Sequence, residues 1–167
     1  ELCQAVINPV RFFSDKSGYF FVESMNAWMV AHAVDTTLIG TYRYDIQDVN
    51  DKYYVRDMVE AVKYKGYGYV DYYFNNPADG NTGRKIGFVK SIPAMDFFIG
   101  TGFYETDETY YYDELSADLL MVENVTKSMA EGLGGGMDLY PDDSLARVDF
   151  CRDFIDNIRF FDDQSGY

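Results

Sequence analysis

The chain has 167 residues with 14 Lys plus Arg against 28 Asp plus Glu, a formal net charge of −14. A surface of that sign excludes nucleic acid and anionic membranes as the main partner, while 16 Tyr and 13 Phe exclude an acidic disordered segment. At this length one domain with an appendage is affordable, and about 70% of the unfolded surface can be buried.

From Leu2 to Phe13 the apolar residues Leu2, Val6, Val10 and Phe13 recur at helical spacing, with Pro9 expected to kink the helix. The SDKSG stretch breaks it. YFFVES and AWMVAHA then read as two strands turning at Met25 and Asn26, with Trp28, Val30 and His32 on one face of the second. Val34 to Asn50 has no sustained period and reads as a long ordered loop with at most one helical turn. DKYYVRDMVEAVKYKG is a helix, capped by Asn50 or Asp51, buried along Val55, Met58, Val59 and Val62, and ended by Gly66. A hairpin over Tyr67 to Pro93 and a strand over FFIGTGFYE complete five strands, with the N-terminal helix as the cover for one face. DELSADLLMVENVTKSMAEGL is a helix expected to stop at the GGG of residues 134–136, and DDSLARVDFCRDFIDNIRFF is a final helix.

The opening words return at the end. Aligning Cys3 with Cys151 matches nine of seventeen residues up to Tyr19 and Tyr167, including RFF, Asp and SGY, at an offset of 148 residues. That offset is domain-sized, so the simplest reading is a tandem array whose second copy has only begun. The expected division is a first domain over 1–105, a helix and Gly-rich linker over 106–140, and a helix with the start of a second repeat over 141–167. Equivalent positions for Cys3 and Cys151 suggest that each packs within its own copy, although a disulfide stays open. The final helix is expected to pack on the first sheet or on a neighbouring chain.

The words GYFF, MVAH, LIG, DMVEA, GYGYVDYYF, GFVKSIP and FIGTGFY, in that order from about Phe12 to Tyr104, resemble the single Cache domain of bacterial receptors, a PAS-like fold. One departure is visible: the family commonly has Pro after the histidine, where this chain has Ala33. The resemblance implies an α+β domain with a five- to six-stranded antiparallel sheet, a long N-terminal helix and further C-terminal helices. It also implies a periplasmic or extracellular sensing module of a membrane receptor that binds a small molecule, often a short carboxylate, without catalysis or cofactor. The signal would leave through the terminal helices, with a homodimer through them among the assemblies allowed and a signalling module or further repeats outside this stretch. The alternative from another class is a secreted tandem-repeat binding protein; a weaker one is an interaction domain whose own side chains fill its pocket.

A carboxylate needs desolvated donors. Lys90 shares a strand face with Ile86 and Phe88 and is the first candidate partner, against the bland reading of a lysine reaching solvent. His32 could donate to a ligand or be a satisfied structural histidine. Trp28, Tyr19 and Phe21 could wall the pocket or belong to the core. Of the adjacent Tyr72 and Tyr73 only one can face the pocket, and Tyr72 is chosen. Tyr42 and Arg43 lie in the excursion loop that forms the lid in PAS-like folds, with Arg43 the alternative clamp. No GxSxG, phosphate loop or zinc spacing occurs, and DIQDVND lacks the spacing of a calcium loop, so neither catalytic nor metal residues are assigned.

Overall fold

The structure is a computed structural model that describes residues 2–105 and 112–139 and, singly, Ala146 and Phe150. Five strands, β1 (Phe21–Ser24), β2 (Met29–His32), β3 (Tyr67–Asn75), β4 (Thr82–Ser91) and β5 (Phe97–Tyr104), form one antiparallel sheet in the order β2-β1-β5-β4-β3. This is the PAS-like arrangement the sequence led us to expect. Helix α1 (Leu2–Ile7) lies against β2, and α3 (Tyr112–Leu139) crosses β4 and β5. Helix α2 (Tyr54–Lys65) packs on β3 and β4.

Two apolar layers result. On one face Val6, Ile7, Phe12, Phe20, Val22, Phe88 and Ile99 meet Val122, Met129 and Leu133 of α3. On the other, the α2 stripe Val55, Met58, Val59 and Val62 meets Phe21, Val70, Tyr72, Val89 and Phe98. Both layers come from strict alternation in β1 and β4, where neighbouring residues enter opposite cores. The helical cover is thus shared, and α3 supplies more of it than the short α1.

Three helix boundaries depart from the sequence expectation. Helix α1 stops at Ile7 because Pro9 has no N–H and disfavours helical geometry at Asn8, so Val10 N–H turns back to the Ile7 carbonyl at 3.2 Å. The first residue of α2 is Tyr54, and its cap position, Tyr53, makes no side-chain capping bond. Neither Asn50 nor Asp51 caps the helix; in the same loop Asp48 accepts from the N–H groups of Asn50, Lys52 and Tyr73 and ties the loop to β3. The C-cap is as expected, with Gly66 at φ 78°.

The third departure is the glycine triplet, which α3 passes through without ending. A Cβ on Gly134 would stand 2.8 Å from the Pro93 carbonyl oxygen and 3.0 Å from its Cβ, so the residue is small because the helix touches the β4–β5 turn there. At Gly135 the nearest atom would be the Phe150 ring at 3.5 Å, an ordinary contact. Alanine gains about 1 kcal/mol of helix propensity at either position, but crowding of the first kind costs about 1–3 kcal/mol. Gly134→Ala should therefore lower the melting temperature and Gly135→Ala raise it, as read by thermal circular dichroism; the reverse order would mean that the helix does not approach Pro93.

The first echo is a closed local unit. Phe12 and Gly18 exchange backbone hydrogen bonds of 3.2 and 3.0 Å, and the Phe12 ring covers Gly18 so closely that a Cβ would lie 2.3 Å from it. Tyr19 enters the sheet directly after, its carbonyl held by the Thr101 hydroxyl at 2.5 Å. The final helix lies outside the described residues apart from Ala146 and Phe150; Phe150 packs against the α3-side core.

Candidate ligand-binding site

The loop between β2 and α2 begins with a 3₁₀ turn, Thr36–Leu38, capped by the Asp35 carboxylate. It then runs back along β2: Gly40 N–H donates to the Met29 carbonyl at 2.8 Å, Met29 N–H to that of Thr41 at 3.0 Å, and Arg43 N–H to that of Ala27 at 2.8 Å. This short pairing has the alternation of a strand. Tyr42 therefore points outward, 48% exposed, onto the equally exposed Trp28, with their rings 5.5 Å apart. Arg43 points inward and is buried.

Beneath Arg43 is a cavity lined by Tyr19, Phe21, Glu23, Met29, His32, Arg43, Tyr54, Met58, Tyr72 and Phe74. Five of the eight residues singled out from sequence, Tyr19, Phe21, His32, Arg43 and Tyr72, meet there. Trp28 and Tyr42 do not. A bulge between Val22 and Glu23 breaks the β1–β2 register, so Met29 and His32 both face the cavity while Val30 packs on the opposite core. The expected common face of Trp28, Val30 and His32 is lost at that bulge.

Lys90 also lies elsewhere. Its partners on its own face of β4, Ile86 and Phe88, belong to the α3-side core, and the residue paired with it is Ile99 of that same core. The lysine on the cavity face is Lys85, five positions earlier, set between Tyr72 on β3 and Tyr104 on β5. It is fully buried, and its Nζ lies 3.8 Å from the Tyr19 ring centroid and 5.1 Å from that of Tyr104. Further along β5, where Gly100 pairs with Phe21, a Cβ on Gly100 would stand 2.4 Å from Phe21 Cζ, so only glycine lets the Phe21 ring lie on the sheet.

The polar groups are unevenly satisfied. Arg43 Nη2 donates to the Tyr54 hydroxyl at 2.5 Å, and its Nε lies 3.4 Å from Glu23 Oε1 without hydrogen-bond alignment. The Tyr54 ring stacks on Tyr72, centroids 4.6 Å apart and planes within 4°. His32 Nδ1 accepts from Asp35 N–H at 2.8 Å. An amide only donates, so Nδ1 holds the lone pair and Nε2 the proton.

Burial governs the titration of the whole group. Desolvation pulls His32 down to about 3, with Lys85 adding to the effect, so the imidazole is neutral. Desolvation pushes Glu23 up to about 7 against the opposing pull of Arg43, and lowers Lys85 to about 7. Tyr19 and Tyr72 are likewise raised by burial and stay protonated as donors. Among the described residues, the buried side-chain atoms with no hydrogen-bond partner are Glu23 Oε2, Arg43 Nε and Lys85 Nζ. Glu23 and Arg43 line the cavity, and Lys85 lies on the face of its wall residue Tyr19.

The cavity itself is small. Its volume is about 10 Å³, on a scale where one water needs roughly 10–15 Å³. Next to it is a groove of about 350 Å³ lined by Ile46, Gln47, Asp48, Val49, Tyr73, Asn75 and Thr82. Arg43, Tyr54 and Phe74 line both spaces and form the partition between them.

Glu23 and Tyr54, which line the cavity, and Lys85, which lies beside it on the Tyr19 ring, are polar candidates that sequence reasoning did not single out. Lys85 carried a usable signal, a lysine inside the strand-forming run TGRKIGFVK, but alternation alone does not say which face of a two-sided sheet holds the ligand. Glu23 was one acid among 28.

A family model described as Cache domain matches residues 1–130. Among solved structures, the chain is similar to a methyl-accepting chemotaxis protein from Vibrio parahaemolyticus RIMD 2210633, at 26% identity over 60% of this chain and 66% of that one, with a TM-score of 0.54. It is similar to the periplasmic sensor domain of a chemotaxis protein, at 30% identity over 56% of this chain and 65% of that one, TM-score 0.53. A third similar structure is a Cache chemosensory domain described for its carboxylic acid recognition, at 25% identity over 60% and 67% of the two chains, TM-score 0.56. The chain thus spans just under two thirds of the length of the first two of these structures. Cache domains are sensory, ligand-binding domains and not enzymes. With its PAS-like sheet and a polar cavity under the β2–α2 loop, this chain belongs to the Cache family.

Proposed function

We propose that this domain senses a small organic carboxylate outside the cytoplasm, as the input module of a receptor. The observation that carries the reading is Lys85 Nζ, a fully buried amine with no hydrogen-bond partner among the described residues. An unpaired buried cation is costly, and a tyrosine ring face offsets only part of that, about 2 kcal/mol when desolvated. A carboxylate is the ligand group that satisfies it. The formal charges agree: Lys85 and Arg43 against Glu23 leave one positive charge, which a monoanion neutralises.

Neutral His32 and the hydroxyls of Tyr19, Tyr54 and Tyr72 are oriented donors for the same ligand. Binding requires the partition of Arg43, Tyr54 and Phe74 to move, because the cavity has room for about one water. Binding would then select a position of the β2–α2 loop and, through it, of the helices that carry the signal onward. The carboxylic acid recognition and the periplasmic setting of similar domains support this assignment.

The test is isothermal titration calorimetry of the whole chain with C2–C4 organic acids and with amino acids. At least one carboxylate should bind to the parent and to Lys90→Ala with the same affinity, within about threefold. Loss of binding on Lys90→Ala, or no binding by any acid, would remove the basis of the assignment. The echo of Arg11–Tyr19 at Arg159–Tyr167 favours a second reading in which the same pocket serves a repeated binding protein without a signalling partner; attachment of the chain to a transmembrane helix in the full gene would decide against it.

A further inference from the structure

The sheet ends at β2, and the outer edge of that strand is filled by two different means. Along Met29 the loop supplies the partners, with Gly40 N–H donating to the Met29 carbonyl and Met29 N–H to that of Thr41. The bulge then leaves Val30 without a partner on β1, so the parity of the strand changes and the N–H and carbonyl of His32 face outward as well. Both are taken by one side chain. Gln4 of α1 accepts the His32 N–H on Oε1 at 3.0 Å and donates from Nε2 to the His32 carbonyl at 3.2 Å, as a paired strand residue does. Nε2 also donates to Asn8 Oδ1, and Arg11 Nη2 donates to the next carbonyl, that of Ala33, at 2.6 Å.

The residue held in this way lines the cavity. Its Nδ1 accepts from Asp35 N–H, and the Asp35 carboxylate in turn accepts from the N–H and hydroxyl of Thr37 and caps the 3₁₀ turn that opens the loop. One hydrogen-bonded series therefore runs from the loop through Asp35, the imidazole and the His32 peptide to Gln4 and α1. Breaking any link strands a polar group, so displacement at one end is passed along the series. The helix does not need Gln4 for its attachment, since Cys3, Val6 and Ile7 already bury it in the opposite apolar layer. At the equivalent place in the closing echo stands Arg152, which can only donate. The clamp is thus no fixed part of the repeated stretch.

We infer that Gln4 is a positioning residue of the cavity and the link through which the terminal helix responds to it. Its amide fixes the His32 peptide, which sets where the imidazole and its Nε2 proton stand in the cavity. A shift of the loop reaches α1 by the same bonds. The response half rests on the reading that a carboxylate binds beneath the loop; the positioning half does not.

The experiment is nuclear magnetic resonance of the isotope-labelled whole chain, in which His32, its one histidine, gives unambiguous ring signals. Gln4→Met keeps the side-chain length and the helix propensity and removes both bonds to His32. Without ligand it is expected to shift the ring nitrogens and lower the share of the Nε2-protonated tautomer. Gln4→Glu keeps the acceptor for His32 N–H, so it should fall between the parent and Gln4→Met, and it carries the comparison alone should Gln4→Met not fold. Val6→Ala loosens α1 through its packing in the opposite layer and should leave the ring signals in place. Ring signals unchanged by loss of the amide, or changed as much in Val6→Ala, would overturn the positioning role.

Acetate, propanoate and pyruvate are then titrated into each protein. An acid that moves the His32 ring should also move the amides of Leu2–Ile7 in the parent but not in Gln4→Met, and its affinity should drop about fivefold or more in that variant. Helix amides that follow equally in both proteins would overturn the link. If none of the acids perturbs the ring, the carboxylate reading and the response half fall together, and the ligand-free comparison still decides the positioning role.

Discussion

Lys85→Met is expected to make the ligand-free domain more stable and unable to bind carboxylates. Lys85 is fully buried between Tyr72 and Tyr104, and its amine lies over the Tyr19 and Tyr104 rings with no hydrogen-bond partner among the described residues. Methionine has nearly its length and no charge, so it keeps the packing and removes a desolvated cation. Replacing buried ionic groups by apolar ones of similar volume is often stabilising by about 1–4 kcal/mol, which for a domain of this size raises the melting temperature by roughly 3–10 °C. Binding should fall at least about 100-fold, because the removed group is the ligand's desolvated partner. A residue with a purely structural role moves both readouts downward. Scanning calorimetry with and without ligand separates the two cases; a variant less stable than the parent that still binds would contradict the role given to Lys85.

The second large effect is on pH dependence. In the unfolded chain Lys85 holds its proton up to about 10.5, whereas in the folded domain burial brings the value to about 7. Between those values the unfolded state binds more protons, so stability rises with pH, at about 1.4 kcal/mol per unit for one proton. From pH 7 to 9, where unfolded tyrosines are still mostly protonated, the gain is about 2 kcal/mol. Glu23 acts with the opposite sign at lower pH: its folded value of about 7 lies above the ordinary 4.5, and stability from this group falls as pH rises through that interval. His32, held at about 3 against 6.5, partly offsets it, because its contribution rises from pH 3 to 6.5. Chemical denaturation at pH 7, 8 and 9 should show increasing stability in the parent and a flat profile in Lys85→Met. Equal slopes in the two proteins would mean that Lys85 keeps its proton in the folded state.

Much of this fold was legible in the sequence because alternation and turn chemistry are local. The five strands, the loop after His32 and the α2 stripe ended by Gly66 all follow from spacing alone. What was illegible is non-local. A GGG that reads as a helix stop is continued by α3 because tertiary contact with Pro93 selects glycine there. The bulge at Val22/Glu23 moves His32 away from the face of Val30 and cannot be seen from either strand by itself. For the site, aromatic alternation placed Tyr19, Phe21 and Tyr72 in the cavity, and the excursion loop placed Arg43 there. The lysine singled out from sequence, Lys90, stands on the face of β4 turned away from the cavity. Lys85 and Lys90 are five apart, so alternation puts them on opposite faces, and both faces of this sheet are covered by helices. Only the three-dimensional arrangement says that one cover, α2 with its preceding loop, leaves a polar cavity.

A crystal structure of the domain soaked in a carboxylate it is found to bind tests the central claim most directly. The carboxylate should lie beneath Arg43 with an oxygen within hydrogen-bond distance, roughly 2.7–3.0 Å, of Lys85 Nζ. A carboxylate bound on the Lys90 face or elsewhere, with the Lys85 amine still against the rings of Tyr19 and Tyr104, would contradict it.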